Sequence, residues 1–340
     1  MTSALIAGVS GPTLTADERA FFKDAKPAGL ILFARNVTEP DRVAGLVADV
    51  KDAVEGDDLL ILIDQEGGRV QRLRPPAARA LPRAACFHAI YGRDPQRARR
   101  AAFAIARLCA AELVRYGITM NCAPVLDVPV PGAHDIIGDR AYGTTPAQVI
   151  ALGREVANGL MAGGVAPVIK HIPGHGRATA DSHHALPVVT APHAELSATD
   201  FAPFKALAGL PAAMTAHVVF TAIDRHEPAS TSQRVVSDVI RGEIGFDGLL
   251  MSDDLSMEAL EGRIRSRARA VIHAGCDVAL HCNGNLTEMR HAAQGVPRLA
   301  GKAKERFAAA VAASSSCKAF DEGEALAFLE EIMAETPQMV

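Results

Sequence analysis

Aromatic side chains are scarce: they make up 4% of the 340 residues, and tryptophan is absent. Binders of extended polysaccharide often stack sugar rings on aromatics, so this scarcity counts mildly against a long polysaccharide track. No two cysteines are spaced as CxxC. The six cysteines, Cys86, Cys109, Cys122, Cys276, Cys282 and Cys317, sit mostly in apolar runs. That pattern predicts free buried thiols in a reducing compartment, not a disulfide frame. There is no strongly basic run, and formal net charge is −4. Nucleic acid and anionic membrane surfaces are therefore not expected partners, and nothing implies an obligate protein partner. The N-terminus lacks a basic segment, and its apolar core is too short for a signal peptide, which points to a cytoplasmic protein. One stretch, 206–223, lacks charge throughout. Gly209, Pro211 and His217 interrupt it, so it reads as helix end, loop and strand and not as a membrane span.

What is present suits a large core. The chain is 49% hydrophobic and 22% charged, which excludes disorder. Its length accommodates one barrel of about 250 residues plus additions. The organising stretch is 165–187. A buried strand, 165–169, stops at Lys170 and His171. Pro173, Gly174 and Gly176 then turn the chain into a polar loop bearing His175, Asp181, His183 and His184. A rigid strand that ends in titratable groups is what the mouth of a parallel sheet should contain.

Seven other short apolar runs read as strands: 3–10, 29–34, 59–63, 118–128, 212–220, 248–251 and 277–281. Helical signals fall between most of them. Thr15-Ala-Asp-Glu18 is a capping box, Thr38 precedes Pro40, and Asp94-Pro95 opens a helix that Gly117 should close. Thr145-Pro146 opens another, closed by Gly163-Gly164. Further helices are expected from about Ser232 to Gly245, from Met257 to Gly275, and over 299–312 and 322–334. The strands do not alternate apolar with polar, as expected when both faces are covered. The simplest closed solution is a (β/α)8 barrel. A doubly wound sheet is the alternative, but no Gly-x-Gly-x-x-Gly follows the first strand. No composition shift marks a second domain. The chain reads as one catalytic domain over 1–340, with 299–340 as extra helices packed on the barrel wall.

Asp64, Lys170, His171, His217 and Asp253 each fall at the C-terminal end of a predicted strand. In a barrel those ends share one face. One acid there is ordinarily a helix cap, but several groups converging on one rim are hard to explain that way. Asp253 has two readings: a cap for a helix starting near Met257, or a group pointing into the barrel mouth while Asp254 or Ser256 caps. Asp181-Ser182-His183 also has two. It is a solvated loop pair, or a carboxylate holding an imidazole and raising its pKa as a general acid requires. His171, His175, His183 and His184 invite a metal reading. However, Pro173 and Gly174 prevent a helical i,i+4 pair, and no strand-end His-x-His occurs. Arg72, Arg140 and Lys170 can bind an anion or sugar hydroxyls, or serve as surface charges and barrel salt bridges.

Lys-His-Ile-Pro-Gly-His-Gly (170–176), Asp-Ser-His (181–183) and Ser-Asp-Asp-Leu-Ser-Met (252–257) together resemble the family 3 glycoside hydrolases. Asp64-Gln-Glu-Gly-Gly-Arg-Val-Gln-Arg72, Ala123-Pro-Val-Leu-Asp127 and Ala274-Gly-Cys-Asp277 fit as well, so the likeness runs from about Gly11 to Asn283. Within the family it points to the single-domain bacterial cytosolic β-N-acetylhexosaminidases of peptidoglycan recycling. The resemblance implies a (β/α)8 barrel without metal or other cofactor. It implies retention of anomeric configuration through a covalent glycosyl-enzyme, with Asp253 as nucleophile and His183 as acid/base, partnered by Asp181. Asp64, Arg72, Arg140, Lys170 and His171 are implied to bind the N-acetylglucosamine unit. The implied substrate is a small saccharide: terminal β-linked N-acetylglucosamine on a muropeptide, joined to anhydro-N-acetylmuramic acid with or without peptide. A histidine acid departs from the usual two carboxylates about 5–5.5 Å apart. Neutral after giving up its proton, it eases entry of an anionic nucleophile, so phosphorolysis is an alternative. The rivals of other kinds are a metal-dependent barrel amidohydrolase and a non-catalytic amino-sugar-binding barrel. Intact Asp253, Asp181 and His183 weigh against the last.

Overall fold

In the computed structural model, which describes residues 1–56, 58–182, 185–314 and 317–335, the apolar runs become eight parallel strands. They are β1 (Ser3–Ala7), β2 (Pro27–Leu32), β3 (Leu60–Ile63), β4 (Met120–Asn121), β5 (Ala166–Ile172), β6 (Ala212–Thr215), β7 (Leu249–Asp254) and β8 (Val278–His281). Each pairs with the next, and β8 pairs with β1, closing a barrel. Around it lie α1 (Ala16–Ala25), α2 (Pro40–Val54), α3 (Ala84–Tyr91), α4 (Pro95–Arg115), α5 (Pro146–Ala162), α6 (His193–Ala198) and α7 (Phe201–Ala206). A π-helical segment, Val235–Glu243, follows, then α8 (Ile264–Ala274), α9 (Leu286–Gly295), α10 (Gly301–Ala312) and α11 (Glu322–Glu335). This is the expected (β/α)8 fold. Among the described residues no helix is long and apolar enough to cross a membrane.

Two cores follow from the strands' period of two. Leu60 and Leu62, Ala166 and Val168, Leu249 and Met251, and Val278 and Leu280 point inward and fill the barrel. Intervening residues such as Ile61, Ile63, Ile169 and Leu250 pack against the helices. Leu299, Phe307 and Ala310 join the interior cluster. Arg306 of α10 bonds Asp277 and Asp247, at the starts of β8 and β7. Residues 299–310 therefore seal the N-terminal end of the barrel, while α11 packs on α4.

Several boundaries differ from expectation. Thr15 caps α1 in a full capping box, but α2 begins after Glu39, not Thr38. Pro40 occupies its first turn, its fixed φ setting where the helix starts. The fourth strand is short, Met120–Asn121, and the chain beyond it rejoins β5 only through a single bridge, Val125 to Lys170. The fifth runs on through Lys170 and His171. The sixth stops at Thr215, and Val219–Phe220 pairs with Val188–Val189 instead. The helix expected from Met257 begins at Ile264. Arg267 bonds the carbonyls of Leu255, Met257 and Gly262 and holds that segment as a loop. The short helices α3, α6 and α7 have no side-chain N-cap bond and went unread; α9 also went unread, although Asn285 caps it by accepting from the Thr287 and Glu288 amides. Five cysteines are free and buried, whereas Cys317 is free and exposed.

Candidate active site

The inward alternation that fills the barrel continues at its C-terminal rim. Two residues beyond Leu62, Val168 and Met251 come Asp64, Lys170 and Asp253, and all three line one cavity. Asp64 ends β3. The chain then forms a small antiparallel hairpin, Gln65–Gly67 with Val70–Gln71. The Gln65 side chain acts as an internal strut: its Oε1 accepts from the Arg72 and Leu73 amides and its Nε2 donates to the Leu73 carbonyl. Asn121, at the end of β4, exchanges two hydrogen bonds with the Gln65 backbone. Gly67 has φ of 110°, and a Cβ there would lie 2.3 Å from the Pro82 carbonyl oxygen. Only glycine lets the hairpin seat this closely.

That hairpin aims Glu66 and Arg72 at the cavity. Lys170 Nζ lies 2.8 Å from Asp64 Oδ1 and 2.6 Å from Glu66 Oε1. Arg72 bonds the other Asp64 oxygen at 3.0 Å. Arg140 bonds Glu66 in a bidentate fork, both contacts at 2.8 Å. Burial opposes ionisation of Asp64, but Lys170 and Arg72 outweigh it and hold the carboxyl well below its usual range. Glu66 is likewise buried, yet Arg140 and Lys170 bring it down to about 2. Burial disfavours the Lys170 ammonium as well, and the two carboxylates reverse that effect and hold it firmly charged. The result is a rigid, fully ionised network. Arg72 also lies over the Phe33 ring at 4.8 Å, making a cation–π wall.

The end of β5 is fixed by Asp127, which is fully buried. One of its oxygens accepts from the His171 and His175 amides at 3.2 and 2.7 Å, and the other meets His171 Nδ1 at 2.7 Å. Gly176 permits this close turn, since a Cβ there would meet the Val128 carbonyl oxygen at 2.0 Å. His175 Nε2 lies 3.1 Å from Ser182 Oγ. Burial, aided by His171, pushes the His175 pKa down to about 4, so its ring is neutral. Asp181 is partly buried next to Ser182. His183 and His184 lie outside the described residues.

At the end of β7 the two acids separate. Asp253 lines the cavity, and its Oδ1 accepts from the Asp254 amide at 2.8 Å. Asp254 holds the loop: it accepts from the Ser256 amide and hydroxyl and from the Cys282 amide. Neither acid caps α8, whose N-cap position is Arg263. His217 sits behind them, neutral because burial lowers its pKa. Its Nε2–H donates to the Asp254 carbonyl at 3.0 Å, and its Nδ1 faces Ser230 Oγ at 2.7 Å. It is a strut for the β7 end, not a rim group.

The cavity has a volume of about 280 Å³. Asp64, Arg72, Arg140, Lys170, His171 and Asp253 all line it. Glu66 was missed as a site residue. Its signal was its place two residues after Asp64, in the same inward phase, against a Gly-Gly turn. Asp127 was read only as part of a matching motif and was given no role. Four acids (Asp64, Glu66, Asp253, Asp254) and four bases (Arg69, Arg72, Arg140, Lys170) line the cavity, so it suits a neutral, hydroxyl-rich ligand. Among the described residues no group of three or more His, Cys, Asp or Glu side chains is placed to hold a metal ion. His171 Nδ1 is engaged by Asp127 and His175 Nε2 by Ser182.

Comparison with known proteins agrees with this architecture. The family model described as the glycosyl hydrolase family 3 N terminal domain matches residues 5–313. A β-hexosaminidase of Alkalilimnicola ehrlichii is 42% identical over 283 residues, covering 82% of this chain and 80% of that one. The crystal structure of native NagZ from Neisseria gonorrhoeae superposes with a TM-score of 0.87 at 33% identity, over 97% of this chain and 98% of that one. The same protein in complex with N-trifluoroacetyl-D-glucosamine gives 0.84 at 31% identity, over 99% and 97%. The chain therefore belongs to glycosyl hydrolase family 3, in its β-hexosaminidase branch, and is a glycoside hydrolase.

Proposed function

We propose that the chain is a retaining exo-β-N-acetylglucosaminidase acting in the cytoplasm on peptidoglycan-derived muropeptides, with the whole chain serving as one catalytic unit. The observation that carries the reading is Asp253, brought by the inward phase of β7 to the floor of a cavity large enough for about one sugar ring. Ligand pockets commonly run to about 300–1,000 Å³, and this one, at about 280 Å³, lies just below that range, which favours removal of single terminal residues. A related NagZ binds an N-acylated glucosamine analogue, which supports the choice of sugar.

In this reading Asp64, Arg72, Arg140, Lys170 and His171 bind the N-acetylglucosamine unit, with Glu66 locking Arg140 and Lys170 in place. Ion pairs that are already made present fixed donors and acceptors to the hydroxyls and need no rearrangement during the reaction. Asp253 attacks the anomeric carbon as a carboxylate. His183, held by Asp181, gives its proton to the leaving oxygen and then takes one from water. Arg72, Arg140 and Lys170 are each paired with a carboxylate. That pairing favours water over phosphate as the second acceptor. The cleaved partner is the anhydro-N-acetylmuramic acid unit, with or without peptide.

The test is hydrolysis of 4-nitrophenyl N-acetyl-β-glucosaminide by wild type, Asp253→Ala and His183→Ala, with and without chelator. Asp253→Ala should lose nearly all activity. His183→Ala should lose less here than on a natural disaccharide, because nitrophenolate leaves readily unaided, whereas general acid catalysis is commonly worth about 10²–10⁴-fold. Loss of activity with chelator and its retention in Asp253→Ala would instead mark a metal hydrolase. Sugar binding without turnover would mark a binding protein.

A further inference from the structure

Ser182 stands in sequence between the two residues assigned above to proton transfer, Asp181 and His183, and its own side chain reaches His175 at the barrel rim. It is buried, and its Oγ lies 3.1 Å from His175 Nε2. His175 is also buried. Its backbone amide is fixed by Asp127 at 2.7 Å, through the same carboxylate that holds His171. Its Nδ1 is buried and has no hydrogen-bond partner among the described residues. A buried N–H without an acceptor is more costly than an idle lone pair, so the proton of the neutral ring belongs on Nε2, where Ser182 Oγ accepts it. From this geometry we infer that His175 is a positioning residue for general acid catalysis, acting through Ser182 to hold the chain beside Asp181. The inference rests on the acid/base reading given above.

The arrangement links two parts of the site. Asp127, buried in the segment that follows β4, ties His171 on the sugar-binding wall and His175 to one carboxylate. His175 passes that fixed position to Ser182. Because His175 stays neutral down to about pH 4, the bond keeps one donor and one acceptor across the working range. A displacement of about 1 Å in a proton-donating group can cost about 10²-fold in rate, so a single buried hydrogen bond at this position has leverage.

The test is the dependence of kcat/KM on leaving-group pKa across aryl N-acetyl-β-glucosaminides, from 4-nitrophenyl to unsubstituted phenyl. This parameter reports cleavage of the aglycone bond and not release of the sugar from the enzyme. Ser182→Ala and His175→Phe should lose about 10-fold or more with the phenyl glycoside and less than about 3-fold with the 4-nitrophenyl one, a share of the general-acid effect. Ser182→Thr and His175→Gln, which keep an acceptor and a donor, should recover most of the loss. A merely structural role predicts equal losses on every leaving group, and that outcome, or no loss at all, overturns the inference. His183→Ala, measured alongside, separates the two claims. A flat response in that variant sinks the acid/base reading and this inference with it. A steep response there, with a flat one in Ser182→Ala and His175→Phe, overturns the inference alone.

Discussion

Lys170 answers two carboxylates at once from a position with almost no access to water. Removing one member of such a buried set commonly costs about 3–5 kcal/mol, because the remaining charges lose their counter-ion. The network also dictates how stability depends on pH. Asp64 and Glu66 have pKa values below their unpaired values of 3.8 and 4.5. Between the folded and unfolded values the unfolded chain binds more protons, so stability rises with pH. Their contribution is complete above about pH 5 and is lost as pH falls through that interval. His175 and His217 act with the same sign from higher up. Burial keeps them neutral, while their unfolded counterparts charge below the ordinary 6.5. Urea midpoints should therefore be highest near neutrality, decline below about pH 6.5 and decline faster below about pH 4.5. A midpoint that rose on acidification would contradict the ionised network. At this scale much was legible. Asp64, Lys170 and Asp253 follow Leu62, Val168 and Met251 by two residues, so strand parity alone separates Asp253 from Asp254. Glu66 had its place two residues after Asp64 as a local signal, but its partners, Arg140 and Lys170, are far away in sequence, and that pairing leaves no local pattern.

Among elements, the strand cores were readable and their ends were not. The apolar runs located all eight barrel strands, since burial on both faces dictates their composition. Where each strand stops depends on tertiary hydrogen bonds. The β5 end is extended by Asp127, and the loop before α8 is held open by Arg267. The motif residue Asp277 illustrates the same point. It lies at the start of β8, at the opposite end of the barrel from the cavity. Its carboxylate accepts from the Leu250 amide and from Arg241 and Arg306, joining β7, the π-helical segment and α10. Asp277→Ala orphans a buried amide and two guanidinium groups. It should lower the unfolding free energy by about 2–4 kcal/mol in urea titration, with kcat/KM on the 4-nitrophenyl substrate changed less than about 2-fold. A large catalytic loss without loss of stability would give Asp277 a different role.

For the whole molecule, closure of the barrel decides what the chemistry has to work with. Residues 299–310 seal its N-terminal end, and the functional groups gather at the other, where loops meet the ends of several strands. That convergence was visible in the sequence as polar groups recurring at strand ends. The shape of the cavity was not, because the Gln65–Gln71 hairpin and the segment near Ile136 and Ile137 build its walls by contacts across long stretches of chain. The central claim is that Asp253 forms a bond to the sugar. The most direct measurement uses a fluorinated N-acetylglucosaminyl fluoride, which forms a glycosyl-enzyme faster than it releases one, followed by intact-protein mass and peptide mapping. The account predicts a single sugar adduct carried by Asp253 and no adduct in Asp253→Ala. An adduct on another residue, or active wild-type enzyme that never carries one, would contradict it.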